Sequence, residues 1–166
     1  MEQSLIARRV QSFHIQAKTS IDFNPDSFQH LAGLVCYYNT YHWYYLHISC
    51  DDCGNRVLQI TSCNKYQVTE VIESPIELPG VGIVNLMVDF NRADIQFKYS
   101  LDGQVWQKAG SVLDGSILSD DYVQDAGLRY RPAFTGSFVG VACQDLRGFK
   151  HYADFHSWEY IELEKV

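Results

Sequence analysis

The sequence predicts an all-β domain, folded as a two-sheet antiparallel sandwich of the jelly-roll type. Three observations carry that expectation. Apolar and polar residues alternate over several long runs, as strands with one buried face require. Eleven Tyr, nine Phe and three Trp stand in a chain that lacks strong helix-forming runs. Turn residues also recur between the runs at short intervals. With 166 residues, 46% of them hydrophobic, the chain can bury one core and reads as a single domain over 1–166.

Residues 13–23 alternate without a break, with Phe13, Ile15, Ala17, Thr19, Ile21 and Phe23 assigned to the buried face. Asn24-Pro25-Asp26 ends that strand. Strands over Leu31–Tyr38 and Tyr41–Ser49 follow, joined by Asn39-Thr40. In the second, Trp43, Tyr45 and His47 point one way, and Tyr44, Leu46 and Ile48 the other. Arg56–Cys63 and Tyr66–Ile72 form a hairpin around Asn64-Lys65. Val81–Phe90 alternates again, with Val84, Leu86, Val88 and Phe90 on one side, and Ile95, Phe97 and Tyr99 continue the pattern. Leu101-Asp102-Gly103-Gln104 marks a tight turn from which Val105–Ala109 returns. Residues 111–131 form a long polar stretch with one helical turn opening at Ser119, and long loops of this kind are often functional. Phe138–Gln144 and Tyr152–Leu163 close the chain as strands. Ten to twelve strands exceed a seven-stranded immunoglobulin module and suit a jelly roll.

A net charge of −7 argues against nucleic acid, whose phosphates need clustered Lys and Arg; the one basic cluster is Arg8-Arg9. No apolar run approaches the roughly 20 residues that span a bilayer. Met1–Arg9 lacks the apolar core of a signal peptide, so a cytoplasmic protein is expected. Five cysteines, an odd number, read as free thiols in that setting. Cys50-Asp-Asp-Cys53-Gly resembles the opening of a zinc knuckle, but a second Cys-x-x-Cys is missing and Asp-Asp-Cys-Gly-Asn makes an ordinary hairpin turn. A plain turn is expected, with no metal and no cofactor.

No catalytic set emerges. Glycosidases face two carboxylates across a sugar, and on a sandwich strand these would recur at alternate positions of one face. Asp51-Asp52 and Asp120-Asp121 are instead adjacent pairs in loops. The six histidines are scattered, and His47 reads as a packed or surface histidine. Sugar rings stack their C–H faces on aromatics, and Trp43, Tyr44, Tyr45, Trp106 and Trp158 could form a platform, although filling a two-sheet core is the simpler use of such side chains. In the stretch Arg129–Asp145, Gly136 and Gly140 suggest room above a strand for an aromatic or a ligand. Phe134, at the loop-to-strand junction, either caps the core or projects outward.

Seven short stretches occur in a telling order: Ala7-Arg8-Arg9, Asp22-Phe23-Asn24-Pro25, Ala32 to Asn39, Phe97-x-Tyr99-Ser100-x-Asp102-Gly103, Leu118-Ser119-Asp120-Asp121, Phe134-Thr135-Gly136-x-Phe138-Val139-Gly140 and Ala153-Asp154-Phe155. From about residue 5 to residue 163 they resemble the C-terminal concanavalin A-like domain of family 43 glycoside hydrolases, the β-xylosidases and α-arabinofuranosidases. The resemblance implies a two-domain enzyme whose five-bladed propeller carries the catalysis on a xylo-oligosaccharide or arabinoside. The β-sandwich packs on the propeller, supports a homo-oligomer and reaches the pocket with a loop aromatic. That aromatic is best placed at Phe134, with Tyr130 and Tyr122 as further candidates, walling the pocket rather than moving protons. The propeller is absent from this chain, as in a cut-out piece or the product of a truncated gene, so hydrolysis by the chain alone is not expected. The alternative is a free-standing lectin-like module that binds sugar through Trp43.

Overall fold

The computed structural model describes residues 2–125, 135–148 and 150–163. Its strands are β1 (Glu2–Arg9), β2 (His14–Asp22), β3 (His30–Asn39), β4 (His42–Cys50), β5 (Arg56–Asn64), β6 (Gln67–Glu70), β7 (Ile76–Glu77), β8 (Val84–Asn91), β9 (Asp94–Ser100), β10 (Gln107–Asp114), β11 (Phe138–Asp145) and β12 (Asp154–Glu162). A 3₁₀ turn, Gly115–Leu118, and a short helix α1, Asp120–Asp125, lie between β10 and β11. All strand pairs are antiparallel. One sheet runs β1-β11-β3-β4-β5-β6, with β7 also on β5, and the other runs β10-β9-β8-β2-β12. No helix among the described residues is long and apolar enough to cross a membrane.

The two sheets close over one core, because each contributes the alternate residues of its inner face. In β2 the buried positions are Ile15, Ala17, Thr19 and Ile21, as the alternation predicts. Leu34, Leu46 and Ile60 lie side by side across β3, β4 and β5 and face Leu86, Val88 and Phe97 of the second sheet within the same buried cluster. Tyr44 reaches from β4 across the core, and its hydroxyl donates to the Asp114 carbonyl at 3.0 Å. Burial pushes that phenol up to about 12, with Asp114 adding to the effect.

Four expectations need correction. Phe13 does not continue the buried face; β2 begins one residue later and the Phe13 ring is 71% exposed. Residues 2–9, unread as a strand, form β1 on the edge of the larger sheet. Their pattern is weak because neither face is fully covered, Leu5 being 40% and Ile6 77% exposed. The return strand runs on to Asp114 across a bulge between Ala109 and Leu113, where Gly110 sits at φ +71° and breaks the period of two. Finally, Gly140 leaves no open room. A Cβ there would overlap the Ile6 carbonyl and stand 2.5 Å from Ala7 Cα, so the glycine admits the backbone of β1 rather than a ligand. Gly136 is likewise occupied from above, with the Arg9 guanidinium 3.0 Å from where its Cβ would lie.

Candidate functional site

Two places on the sandwich hold the residues singled out in the sequence. The first is the mouth formed where β3 ends and β11 begins. Ser119 starts α1 there. Its hydroxyl accepts from Tyr122 N and donates to the Ser116 carbonyl, so the helical turn opens at the predicted residue. Asp120, next in line, accepts the Tyr38 hydroxyl at 2.6 Å and the Gly136 amide at 3.1 Å. One carboxylate thus ties the strand end, the helix and the start of β11 together. Burial, then the neighbouring Asp120 carboxylate, raises the Tyr38 phenol above its ordinary range. A surface hollow of about 410 Å³ opens beside this clamp, lined in part by Arg9, Phe13, Arg92 and Ser137.

Tyr122 lies half-buried on the core side of the mouth. Its hydroxyl exchanges hydrogen bonds with the Asn64 side chain at 2.9 and 3.3 Å, His42 meets its ring edge-on at 6.0 Å, and Lys65 Nζ stands 5.0 Å above it. Phe134 and Tyr130 lie outside the described residues. Their segment, 126–134, leaves α1 and returns just ahead of the Gly136 amide that Asp120 holds.

The second place is the outer face of the larger sheet. Trp43, Tyr45 and His47 do share a face, opposite Tyr44, Leu46 and Ile48, as predicted. Tyr45 is buried there with Val35 and Ala142, and its hydroxyl donates to the Ala142 carbonyl at 2.8 Å. Gly33 of β3 lies so close to the β4 backbone that a Cβ there would overlap the Leu46 carbonyl. His47 is 4% exposed, contacts Thr61 Oγ1 at 2.9 Å, and is lowered to about 4 by burial. Trp43 packs against this cluster with its indole N–H 3.3 Å from the Thr40 carbonyl. Beside it runs a groove of about 260 Å³, lined by Leu5, Tyr37, Trp43 and Gln144 among others. Such a volume takes one small ring rather than a drug-sized ligand, whose pockets begin near about 300 Å³. Trp106 is half-buried and Trp158 is 37% exposed, both on the other sheet or its connections and away from Trp43.

The Cys50–Cys53 segment is the hairpin turn expected of it. Asp51 accepts from the amides of Cys53 and Asn55 and from the Asn55 side chain, and these bonds hold its carboxyl below the usual range. Sequence reasoning missed a third cluster. Asp26 and His30 meet His151, distant from them in sequence, at the opposite end of β3, beside the buried Asp145. The two imidazoles stack at 4.3 Å. Asp26 and His30 stand four residues apart where the chain enters β3, but His151 comes from the separate β11–β12 crossing, so no local pattern joins all three.

Residues 1–161 match the family described as the β-xylosidase C-terminal concanavalin A-like domain. The chain belongs to that family. It is 37% identical over 161 residues to a β-xylosidase of Bacillus subtilis, covering 96% of this chain and 29% of that protein. Against xylosidase/arabinosidase 43B of Humicola insolens the identity is again 37%, over 96% of this chain and 30% of the relative. The crystal structure of a xylan β-1,4-xylosidase from Bacillus halodurans superposes with a TM-score of 0.88 at 38% identity, over 97% of this chain and 30% of that one. The chain therefore spans about 30% of the length of the relatives it matches. The concanavalin A-like fold expected from the resemblance is the fold observed.

Proposed function

We propose that this chain acts as the accessory β-sandwich of a xylan-degrading family 43 enzyme, working beside a five-bladed propeller that carries the catalysis. The observation that carries the reading is the match of residues 1–161 to the sandwich family together with the chain's share of about 30% of its relatives' length. The geometry of the mouth supports it. Asp120 ties the Tyr38 hydroxyl to the Gly136 amide, so the described residues on either side of segment 126–134, whose Phe134 and Tyr130 are the proposed pocket walls, are joined. Apolar walls in that pocket would stack on the leaving-group sugar and exclude water without exchanging protons. The loop carboxylates support a non-catalytic part, since Asp120 and Asp51 are each committed to hydrogen bonds within the sandwich. The exposed Ile6, Phe13 and Tyr152, 77%, 71% and 75% accessible, offer apolar surface for packing on the propeller or on a second copy. The five free cysteines suit a reducing compartment such as the cytoplasm.

A second reading, a lectin-like module, rests on one observation: the Trp43 groove is open and flanked by the amide of Gln144. The two readings part in a single experiment. The chain is titrated calorimetrically with xylobiose and arabinose-bearing xylo-oligosaccharides, assayed for hydrolysis, and then added to a β-xylosidase propeller stripped of its own sandwich. The accessory reading expects no heat and no turnover from the chain alone, and restored turnover in the mixture that Phe134→Ala weakens. Saturable binding abolished by Trp43→Ala would favour the lectin-like module. Turnover by the pure chain would overturn both.

A further inference from the structure

We propose that the hollow beside the mouth binds a hexuronate, a sugar that carries a carboxylate, through Arg9, Arg92 and Phe13. The site stands on the sandwich alone and does not need the propeller. Its volume of about 410 Å³ lies at the low end of the range for small-molecule sites, about 300–1,000 Å³, and so suits one or two sugar rings rather than a long chain. Two arginines line it. With 20 acidic residues against 13 Lys and Arg, an arginine in this chain has carboxylates in excess to pair with. Neither Arg9 nor Arg92 is in an ion pair among the described residues.

Arg92 supplies the decisive observation. It opens the two-residue turn between β8 and β9, at φ +58°. Glycine is favoured at such a position, because any side chain there crowds the backbone. Arg92 keeps its side chain at a steric cost, and strain of this kind gathers at binding sites. The turn is also fixed in place: Arg92 N donates to the Phe13 carbonyl at 2.7 Å, and Gly115 N to the Ala93 carbonyl at 2.6 Å. Arg9 is placed by a different device. Gly136 has no Cβ, and the Arg9 guanidinium lies against the backbone in the space this leaves, ahead of β11.

The rest of the lining selects a sugar acid over a simple anion. Asp120 borders the same hollow, its Oδ1 taking the Tyr38 hydroxyl and the Gly136 amide. A bare anion would be repelled by that carboxylate. A hexuronate can turn its own carboxylate to the guanidinium groups, whose planar forks match it, and its ring hydroxyls to Asp120, Ser12 and Ser137. Phe13, 71% exposed, offers a face on which the C–H side of the ring can stack. Ile6 and Tyr152 line a separate hollow, so a partner packed there leaves Phe13 open.

The test titrates the whole chain by calorimetry with sodium glucuronate, glucose and sodium acetate at low salt. Glucuronate should bind saturably, one per chain, and lose affinity as sodium chloride is raised, because the charge attraction is screened. Glucose lacks the carboxylate and acetate lacks the ring, and each should bind at least about tenfold more weakly. Arg92→Gly separates binding from folding. It should weaken glucuronate binding at least about tenfold and yet hold or raise the urea midpoint, since the turn loses its crowded side chain. Arg9→Ala, at an exposed side chain, should weaken binding to a similar degree and leave the fold intact by circular dichroism. The absence of saturable glucuronate binding overturns the proposal. So does acetate binding as tight as that of glucuronate, or glucuronate binding that both variants leave unchanged.

Discussion

The two ends of β3 solve the same problem with different chemistry. At each end the chain must cross between sheets or leave the sandwich, and at each end one aspartate gathers the loop. Asp120 does this at the mouth with one phenol hydroxyl and one amide. Asp145 does it at the far end with the amides of Arg147, Gly148 and His151 at 2.8–3.0 Å, while also facing His30. Asp120 is partly open to solvent and joins the end of β3, the start of α1 and the approach to β11. Asp145 is 2% exposed, and all three amides it accepts from belong to the turn it holds. A partly solvated clamp allows the segment beyond it to be shaped by a partner, whereas a buried one fixes the corner before any partner arrives. The pocket-wall role proposed for segment 126–134 belongs with the first design.

If this contrast holds, Asp145→Ala should produce the largest loss of stability among the aspartate changes. It strands three amides and leaves His30 without its facing carboxylate, and the urea midpoint should fall further than for any loop substitution at the mouth. The same variant should change the acid limb. Burial alone would raise the Asp145 carboxyl, but the His151, Gly148 and Arg147 amides, with His30, outweigh it and hold it at about 2. A carboxyl depressed in the folded state contributes stability above its unfolded value, near about 4, and that stability is lost as pH falls toward 2. His47, lowered from 6.5 to about 4 by burial, acts in the window above: the unfolded chain takes a proton there that the folded chain refuses. Urea midpoints from pH 7 to pH 2 should therefore fall through both windows in the native chain, and clearly less through the lower one in Asp145→Ala, where Asp51 and Asp102 still contribute. An unchanged lower window would break the comparison.

Tyr38→Phe should come next. It removes a hydrogen bond to a carboxylate from a phenol that is 4% exposed, at a cost of about 1.5–3 kcal/mol by denaturant unfolding. It should also speed hydrogen exchange at the Gly136 amide, which shares the same Asp120 oxygen, and leave the Asp145 corner untouched. Asp51→Ala should have the smallest effect. That carboxylate bonds as many donors as Asp145, but in an exposed hairpin turn where water can replace it. A midpoint shift from Asp51→Ala as large as that from Asp145→Ala would show that bond number rather than burial sets these costs.

The inner faces were legible because period-two alternation is a direct record of a face turned from water, which β2 keeps throughout and β8 keeps but for Met87. β1 was hidden because an edge strand with two partly wet faces has no reason to alternate, and the end of β10 because a glycine bulge reverses its phase. The faces of Trp43, Tyr45 and His47 could be assigned, yet whether that face was core or surface could not, since alternation distinguishes two sides without naming them. The mouth was half legible: Ser119 announced a helix start through its side-chain chemistry, while its Asp120 neighbour revealed nothing of Tyr38 or Gly136.

The sequence by itself determined an all-β sandwich, its strand order along the chain, and membership in the β-xylosidase C-terminal family. These rest on local periodicity, turn chemistry and ordered short stretches, all written in neighbouring residues. Only the tertiary structure decided which glycine admits a strand, which tyrosine meets which carboxylate, and that His30 and His151 stack. Those contacts form between segments brought together by sheet pairing across long separations, and the one-dimensional pattern carries no record of distance in space.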